Sequence, residues 1–337
     1  MTTRDHKSGD HKSGDDMQDA DDRLLLKAAD WHEQGAAFAL AIVIRTWGSS
    51  PRQAGAVMLI KQDGEIAGSV SGGCVEGAVI EASMKMMERQ SATRLDFGVA
   101  DETAWEVGLS CGGQISVFVC ASSVLEDGVM AHIKAALTSR ADLNLICDLS
   151  ASKVCLLNQT PPAEMQNKLS ADETSFTFSL SAQPRLFIIG AGHISQHLAP
   201  MARQTGFDVR VIDPRATFAS ESRFGDIALS CGWPDEVLDA ANLDKNSAVV
   251  TLTHDPKIDD RALHAALGRP VFHIACLGST RTHAKRLERL KEAGFSQERL
   301  AQIKGPAGLD IGAATPSEIA VSILADLIAA HRKALKV

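Results

Sequence analysis

No apolar run in the 337-residue chain approaches the ~18 residues that a membrane-spanning helix requires. Its first residues are polar and lack the apolar stretch of a secretory signal peptide. There is no block of lysine and arginine and no interleaving of basic with aromatic side chains, so nucleic acid is not an expected partner. The seven cysteines are scattered, odd in number and without a C-x-x-C pair. That pattern argues against a disulfide framework or a structural zinc and for a reducing, cytoplasmic setting. What remains is an ordinary globular composition: 45% hydrophobic, 23% charged, net charge −8 from 42 acids against 34 bases. The length suits about two domains.

The chain is organised around Arg185 to Arg215, RLFIIGAGHISQHLAPMARQTGFDVRVIDPR. Leu186-Phe187-Ile188-Ile189 reads as a buried strand. Gly190-Ala191-Gly192 follows, then a helical pattern from about Ile194 to Thr205, and a second strand, Val209 to Ile212, closed by Asp213. This is the layout of a dinucleotide-binding βαβ unit. Gly190 would permit the tight turn and Gly192 the approach of a pyrophosphate to the helix start. Asp213 is placed to accept from a ribose diol. Ser195 holds the third glycine position and is small enough for close helix–strand packing. The alternative is an α/β turn whose glycines serve packing alone.

Around this unit the chain divides into a tail over 1–21, an N-terminal domain over 22–157, a polar, proline-bearing linker over 158–184 and a Rossmann-like domain over 185–337. The fold class is α/β: a mixed α+β domain followed by a doubly wound parallel sheet. The tail repeats Asp-His-Lys-Ser-Gly and has nothing to bury. In the N-terminal domain, strands are expected over Phe38 to Trp47, in an Asp63-Gly64 hairpin from Ala56 to Val70, over Thr93 to Gly98 and over Gln114 to Cys120. Ser71-Gly72-Gly73-Cys74 leads into a helix from about Val75 to Arg89, a natural anion site in which the helix dipole would favour a Cys74 thiolate. Cys111 precedes Gly112 and Gly113. Both cysteines could instead be small packing residues.

Further along, strands over Asp226 to Ser230, Ala248 to Leu252 and Val271 to Cys276 alternate with helices. Thr253-His254-Asp255 stands at a strand carboxyl end, where doubly wound sheets place their ligands. The loop Gly305 to Gly312 could edge a nucleotide pocket or simply turn the chain. It leads to Thr315-Pro316-Ser317-Glu318, which spells a capping box for a last helix.

Gly48-Ser49-Ser50-Pro51-Arg52, Ser71-Gly72-Gly73-Cys74-Val75-Glu76 and Gly108-Leu109-Ser110-Cys111-Gly112-Gly113 resemble the motifs of the xanthine dehydrogenase accessory protein family, the XdhC/CoxI group. GAGHIS, Asp213-Pro214-Arg215, Thr253-His254-Asp255, Leu277-Gly278-Ser279 and GPAGLDIGAATPSEIA are similar to that family's Rossmann domain. The resemblance runs from about Leu24 to Ala334. It implies a chaperone that binds molybdenum cofactor (molybdopterin or its dinucleotide form), protects it and inserts it into a xanthine dehydrogenase-type apo-molybdoenzyme. It further implies sulfuration of the cofactor with a cysteine desulfurase as partner, and a homodimer. The residues it points to are Arg52, Gly72, Gly73, Cys74, Cys111, Gly112 and Gly113 in the first half. In the second half they are Gly190, Gly192, His193, Asp213, His254 and Asp255, with Cys74 and Cys111 as soft ligands to the metal. The competing expectation is an NAD(P)-dependent oxidoreductase with an NAD-like nucleotide on the Rossmann half and His254 beside Asp255 as its acid–base pair.

Overall fold

The computed structural model describes residues 21–48, 52–98, 113–150, 153–156 (backbone only) and 167–335. The chain divides into two compact units, meeting between Ser123 and Val124. The expected tail over 1–20, the turn residues 49–51, the segment 99–112 with Cys111 and Gly112, and the first part of the expected linker, 158–166, lie outside the described residues.

The first unit begins with Asp21–Glu33 (α1) and continues through Phe38–Trp47 (β1), Val57–Lys61 (β2), Ile66–Gly68 (β3), Glu76–Arg89 (α2), Ala92–Phe97 (β4) and Gln114–Ala121 (β5). The strands form one antiparallel sheet in the order β3-β2-β1-β5-β4. Central β1 is apolar over seven consecutive residues because both its faces are covered. Ala39, Ala41 and Val43 meet Val75, Val79 and Met86 in one core. α1 buries Leu24, Leu25, Ala28 and Trp31 beside the sheet, with the Trp31 ring 5.9 Å from that of Phe38. Every α2 residue that packs inward recurs at helical spacing, so the glycine-rich segment before it is held at a fixed place on the sheet.

The second unit opens with Val129–Ser139 (α3) and an antiparallel sheet of Leu143–Asp148 (β6), Lys153–Leu156 (β7), Lys168–Leu169 (β8) and Ser175–Leu180 (β9), ordered β7-β6-β9-β8. This corrects the expected linker over 158–184: β8 and β9 fall inside it. β9 reads Ser-Phe-Thr-Phe-Ser-Leu, and its Phe176, Phe178 and Leu180 are buried in strict alternation.

A second, parallel sheet follows. Its elements are Arg185–Ile189 (β10), His193–Gln204 (α4), Asp208–Ile212 (β11), Glu221–Phe224 (α5), Ala228–Ser230 (β12), Pro234–Ala240 (α6), Ser247–Thr251 (β13), Pro256–Leu267 (α7), His273–Cys276 (β14), Thr280–Glu292 (α8), Gln297–Leu300 (α9), Ile303–Lys304 (β15) and Pro316–Ala334 (α10). The strand order is β12-β11-β10-β13-β14-β15, all parallel. Counted along this sheet it is 3-2-1-4-5-6, the doubly wound Rossmann order. α4 and α10 cover one face through Leu198, Ala199, Ala202, Ile323 and Leu327. α6, α7 and α8 cover the other through Leu238, Leu263, Leu267 and Leu290. The chain reverses direction across the sheet between β10 and β13, which brings Gly190 and Thr253 side by side at their carboxyl ends.

Candidate functional site

The glycine-rich segment between β3 and α2 is closed on itself. The Glu76 carboxylate turns back and takes up its donors. Oε1 accepts from Ser69 Oγ (2.7 Å), Val70 N (3.3 Å), Ser71 N (2.8 Å) and Gly72 N (3.0 Å). Oε2 accepts from Ser71 Oγ (2.6 Å), Gly73 N (2.9 Å) and Val75 N (3.2 Å). Partial burial alone would raise this carboxyl, but the Ser69 and Ser71 hydroxyls and the Ser71 amide outweigh it and bring the pKa down to about 2. Gly72 and Gly73 sit at φ of 86° and 123°, which lets successive amides converge on one point. The amides expected to receive a phosphate therefore already hold an anion of the protein's own.

Four further bonds brace the segment. Ser71 Oγ accepts from the amides of Cys74 (3.0 Å) and Val75 (3.1 Å). Arg52 donates from Nε to Ser69 O (3.1 Å) and from Nη2 to Asp21 Oδ1 (2.8 Å), with its side chain only 16% exposed. Arg52 thus ties the segment to the start of α1. Cys74 is exposed just ahead of α2, on a backbone with every neighbouring amide engaged. Gly113 is buried beside β5, its carbonyl against Gly98.

At the carboxyl edge of the parallel sheet, the two fingerprint glycines do different things. Gly190 has φ 104°, and a Cβ there would lie 2.5 Å from Thr253 Cγ2. Gly192 caps α4 with nothing within 4 Å of where its Cβ would stand, so the approach to the helix start is open. Ser195 is buried and its hydroxyl donates to Gly190 O, fastening the helix to the turn. His193 is exposed on the first turn of α4.

Asp213 is fully buried. Oδ2 accepts from Ala191 N (2.9 Å) and Arg215 Nη2 (2.8 Å), and Oδ1 from Arg215 N (3.0 Å) and Nε (2.8 Å). Burial pushes its pKa up, and the Arg215 and Ala191 donations more than offset this, leaving it below the usual carboxylate value. A ribose diol finds no free acceptor there. The partly exposed group at this strand end is the Arg215 guanidinium, stacked 4.3 Å from the Phe218 ring centre. His254 is exposed and left-handed at φ 61°. Asp255 caps α7, its Oδ1 accepting from Lys257 N (2.9 Å), and no ion pair joins it to His254 among the described residues. The Gly305 to Gly312 loop is pinned: Ala307 N donates to Cys276 O, and Leu309 and Ser322 exchange two bonds.

Glu76 and Arg215 were missed as site-forming residues by sequence reasoning. The signal for Glu76 was present, an acid at the first helical position after S-G-G-C. Nothing local shows that Arg215 folds back onto Asp213.

An antiparallel α+β unit with an exposed cysteine on a braced glycine segment, followed by a doubly wound Rossmann sheet, defines the class of molecule. Residues 31–98 match the model of the XdhC and CoxI family, and residues 186–327 match the XdhC Rossmann domain, together more than half of the chain. The chain belongs to the XdhC/CoxI family. It is 29% identical to the molybdenum cofactor insertion chaperone PaoD of Escherichia coli K12, over 91% of this chain and 88% of that one. It is 26% identical to the uncharacterized protein YqeB of the same organism, covering 90% of this chain but only 46% of YqeB's length. A crystal structure of a xanthine dehydrogenase from Bacillus halodurans superposes with a TM-score of 0.71 at 26% identity, covering 93% of this chain and 96% of that one.

Proposed function

We propose that this protein binds molybdenum cofactor and hands it to a xanthine dehydrogenase-type apo-enzyme. The observation that carries the reading is Cys74: an exposed thiol at a helix start, on a segment that Glu76 and Arg52 hold rigid. A thiolate is a soft donor suited to molybdenum, and flanking glycines leave room for a flat pterin. No cluster of three or more metal-ligating side chains exists among the described residues; the metal would arrive carried by its own cofactor, with Cys74 as a donor to it. The cofactor's phosphate does not fit the Ser71 to Gly73 amides as they stand. The open start of α4 at Gly192 is the better place for a phosphate-bearing, nucleotide-extended form.

The names of the relatives support this reading: PaoD is an insertion chaperone, and the Bacillus protein is a xanthine dehydrogenase. Sulfuration of the cofactor, with sulfur from a cysteine desulfurase, belongs to the same proposal, with Cys74 or Cys111 as the sulfur-bearing thiol. So do a homodimer and a cytoplasmic setting. The oxidoreductase reading has less support, because no ion pair joins His254 to Asp255 among the described residues, where Asp255 Oδ1 caps α7.

The test is metal analysis and mass spectrometry of purified protein, with the Cys74→Ser and Cys111→Ser variants. Serine keeps the size and removes the soft donor. Wild type is expected to carry molybdenum and pterin and to activate an apo-hydroxylase, and at least one variant to fold normally but lose both. Full retention and activation by the double variant would end the proposal.

A further inference from the structure

A cavity of about 250 Å³ opens between the His254 turn, the start of α7 and one face of α8. None of Gly190, Gly192 or His193 lines it. α8 lies on the sheet face opposite α4, and the cavity adjoins the glycine turn only through Thr253, which packs on Gly190 and donates to Asp259 on the cavity wall. The wall is strongly cationic. Arg281, Lys285 and Arg289 stand at i, i+4 and i+8 along α8, with Thr282 and Arg286 one step round, all on the lining face.

The charge is only partly compensated. Arg289 is held by both oxygens of Asp260, at 2.7 and 2.9 Å. Arg281 and Lys285 are exposed and form no ion pair among the described residues. Arg286 is 2% exposed. Its Nη2 donates to Leu277 O (2.9 Å) and lies 3.9 Å from Asp259 Oδ2, while Nε and Nη1 have no acceptor among the described residues. Asp259, also on the wall, spends Oδ1 on the Thr253 hydroxyl (2.6 Å) and leaves Oδ2 without a donor. A guanidinium buried with two unmet donors is costly. An oxyanion in the adjoining cavity is the partner that answers both the buried guanidinium and the two uncompensated cations at the mouth. A planar fork beside point charges matches the three terminal oxygens of a phosphoryl group.

We infer that this cavity is a phosphoryl-binding site, anchored by Arg286 and closed over by Arg281 and Lys285. It takes a phosphate monoester or free phosphate, and it stands whether or not the protein carries molybdenum cofactor.

The experiment is calorimetric titration of the full chain with inorganic phosphate and with AMP, at low and at moderate salt. The main variant is Arg281→Ala/Lys285→Ala, since both side chains are exposed and their removal leaves the core intact. Arg286→Lys, which keeps the charge and loses the fork, is the second. Wild type is expected to bind at least one probe, and each variant to weaken it about tenfold or more. Binding of both probes assigns the site to a phosphate ester, and binding of phosphate alone assigns it to the free anion. Failure of both probes to bind wild type would overturn the inference. So would wild-type affinity in the exposed double variant, or loss of AMP binding in Gly192→Leu with none in the double variant.

Discussion

Glu76 shows what one residue does to a motif. Its two oxygens receive seven bonds, four on Oε1 and three on Oε2. In Glu76→Gln the amide NH₂ must replace one oxygen, and on either side it would face at least three donors. The expected loss of stability near neutral pH is about 1.5–3 kcal/mol, the range for hydrogen bonds to a charged group. Because the folded pKa is depressed to about 2 from an ordinary 4.5, the wild type's advantage is complete above 4.5. It is lost as pH falls toward 2, where the folded carboxyl also takes its proton. Urea unfolding of both proteins at pH 7 and pH 3 checks this, and an equal gap at the two values would count against it. Asp213 and Arg215 teach the same lesson: an acid at the right spacing was legible, but whether its oxygens face ligand or protein depends on a side chain two residues away.

At the scale of elements, the clearest local signals gave the firmest structure. T-P-S-E folds into a full capping box: Thr315 Oγ1 accepts from Glu318 N (3.3 Å), and Glu318 Oε2 accepts from Thr315 N (2.9 Å) and Ala314 N (2.8 Å), with Pro316 at the first helical position. Thr315→Ala is expected to cost about 1 kcal/mol. The loss should appear in unfolding equilibria and as faster amide exchange in the first turn of α10, which braces α4. An unchanged midpoint would show the cap to be redundant. β9 was hidden because serine and threonine alternate with its buried phenylalanines in a segment with prolines on both sides. β15 has two residues, too few to carry any period.

Across the whole molecule, the cysteines can be sorted by access. Cys74 and Cys231 are exposed, whereas Cys120, Cys147 and Cys276 are buried. Burial pushes the Cys120 thiol up to about 12 and that of Cys276 to about 11. Thiol titration of native protein should therefore find Cys74 and Cys231 reacting fast, and these three reacting only after denaturation. Denatured, unreduced protein should yield all seven, and a shortfall would reveal a disulfide. Among the described residues no helix is long and apolar enough to cross a membrane.

The sequence by itself determined five of the six parallel strands, the glycine turn, the capping box at Thr315 and the family, because each rests on spacing along a few neighbouring residues. Only the tertiary structure decided the 3-2-1-4-5-6 order of the sheet and the pairing of β6 with β9. It alone also showed the closure of Glu76 over its loop, the sealing of Asp213 by Arg215, and the buried guanidinium of Arg286 beside a cationic cavity. These depend on which donors meet which acceptors once the backbone has turned. Burial sets the cost of every polar group left unmet, and burial is a property of the fold, not of the local sequence.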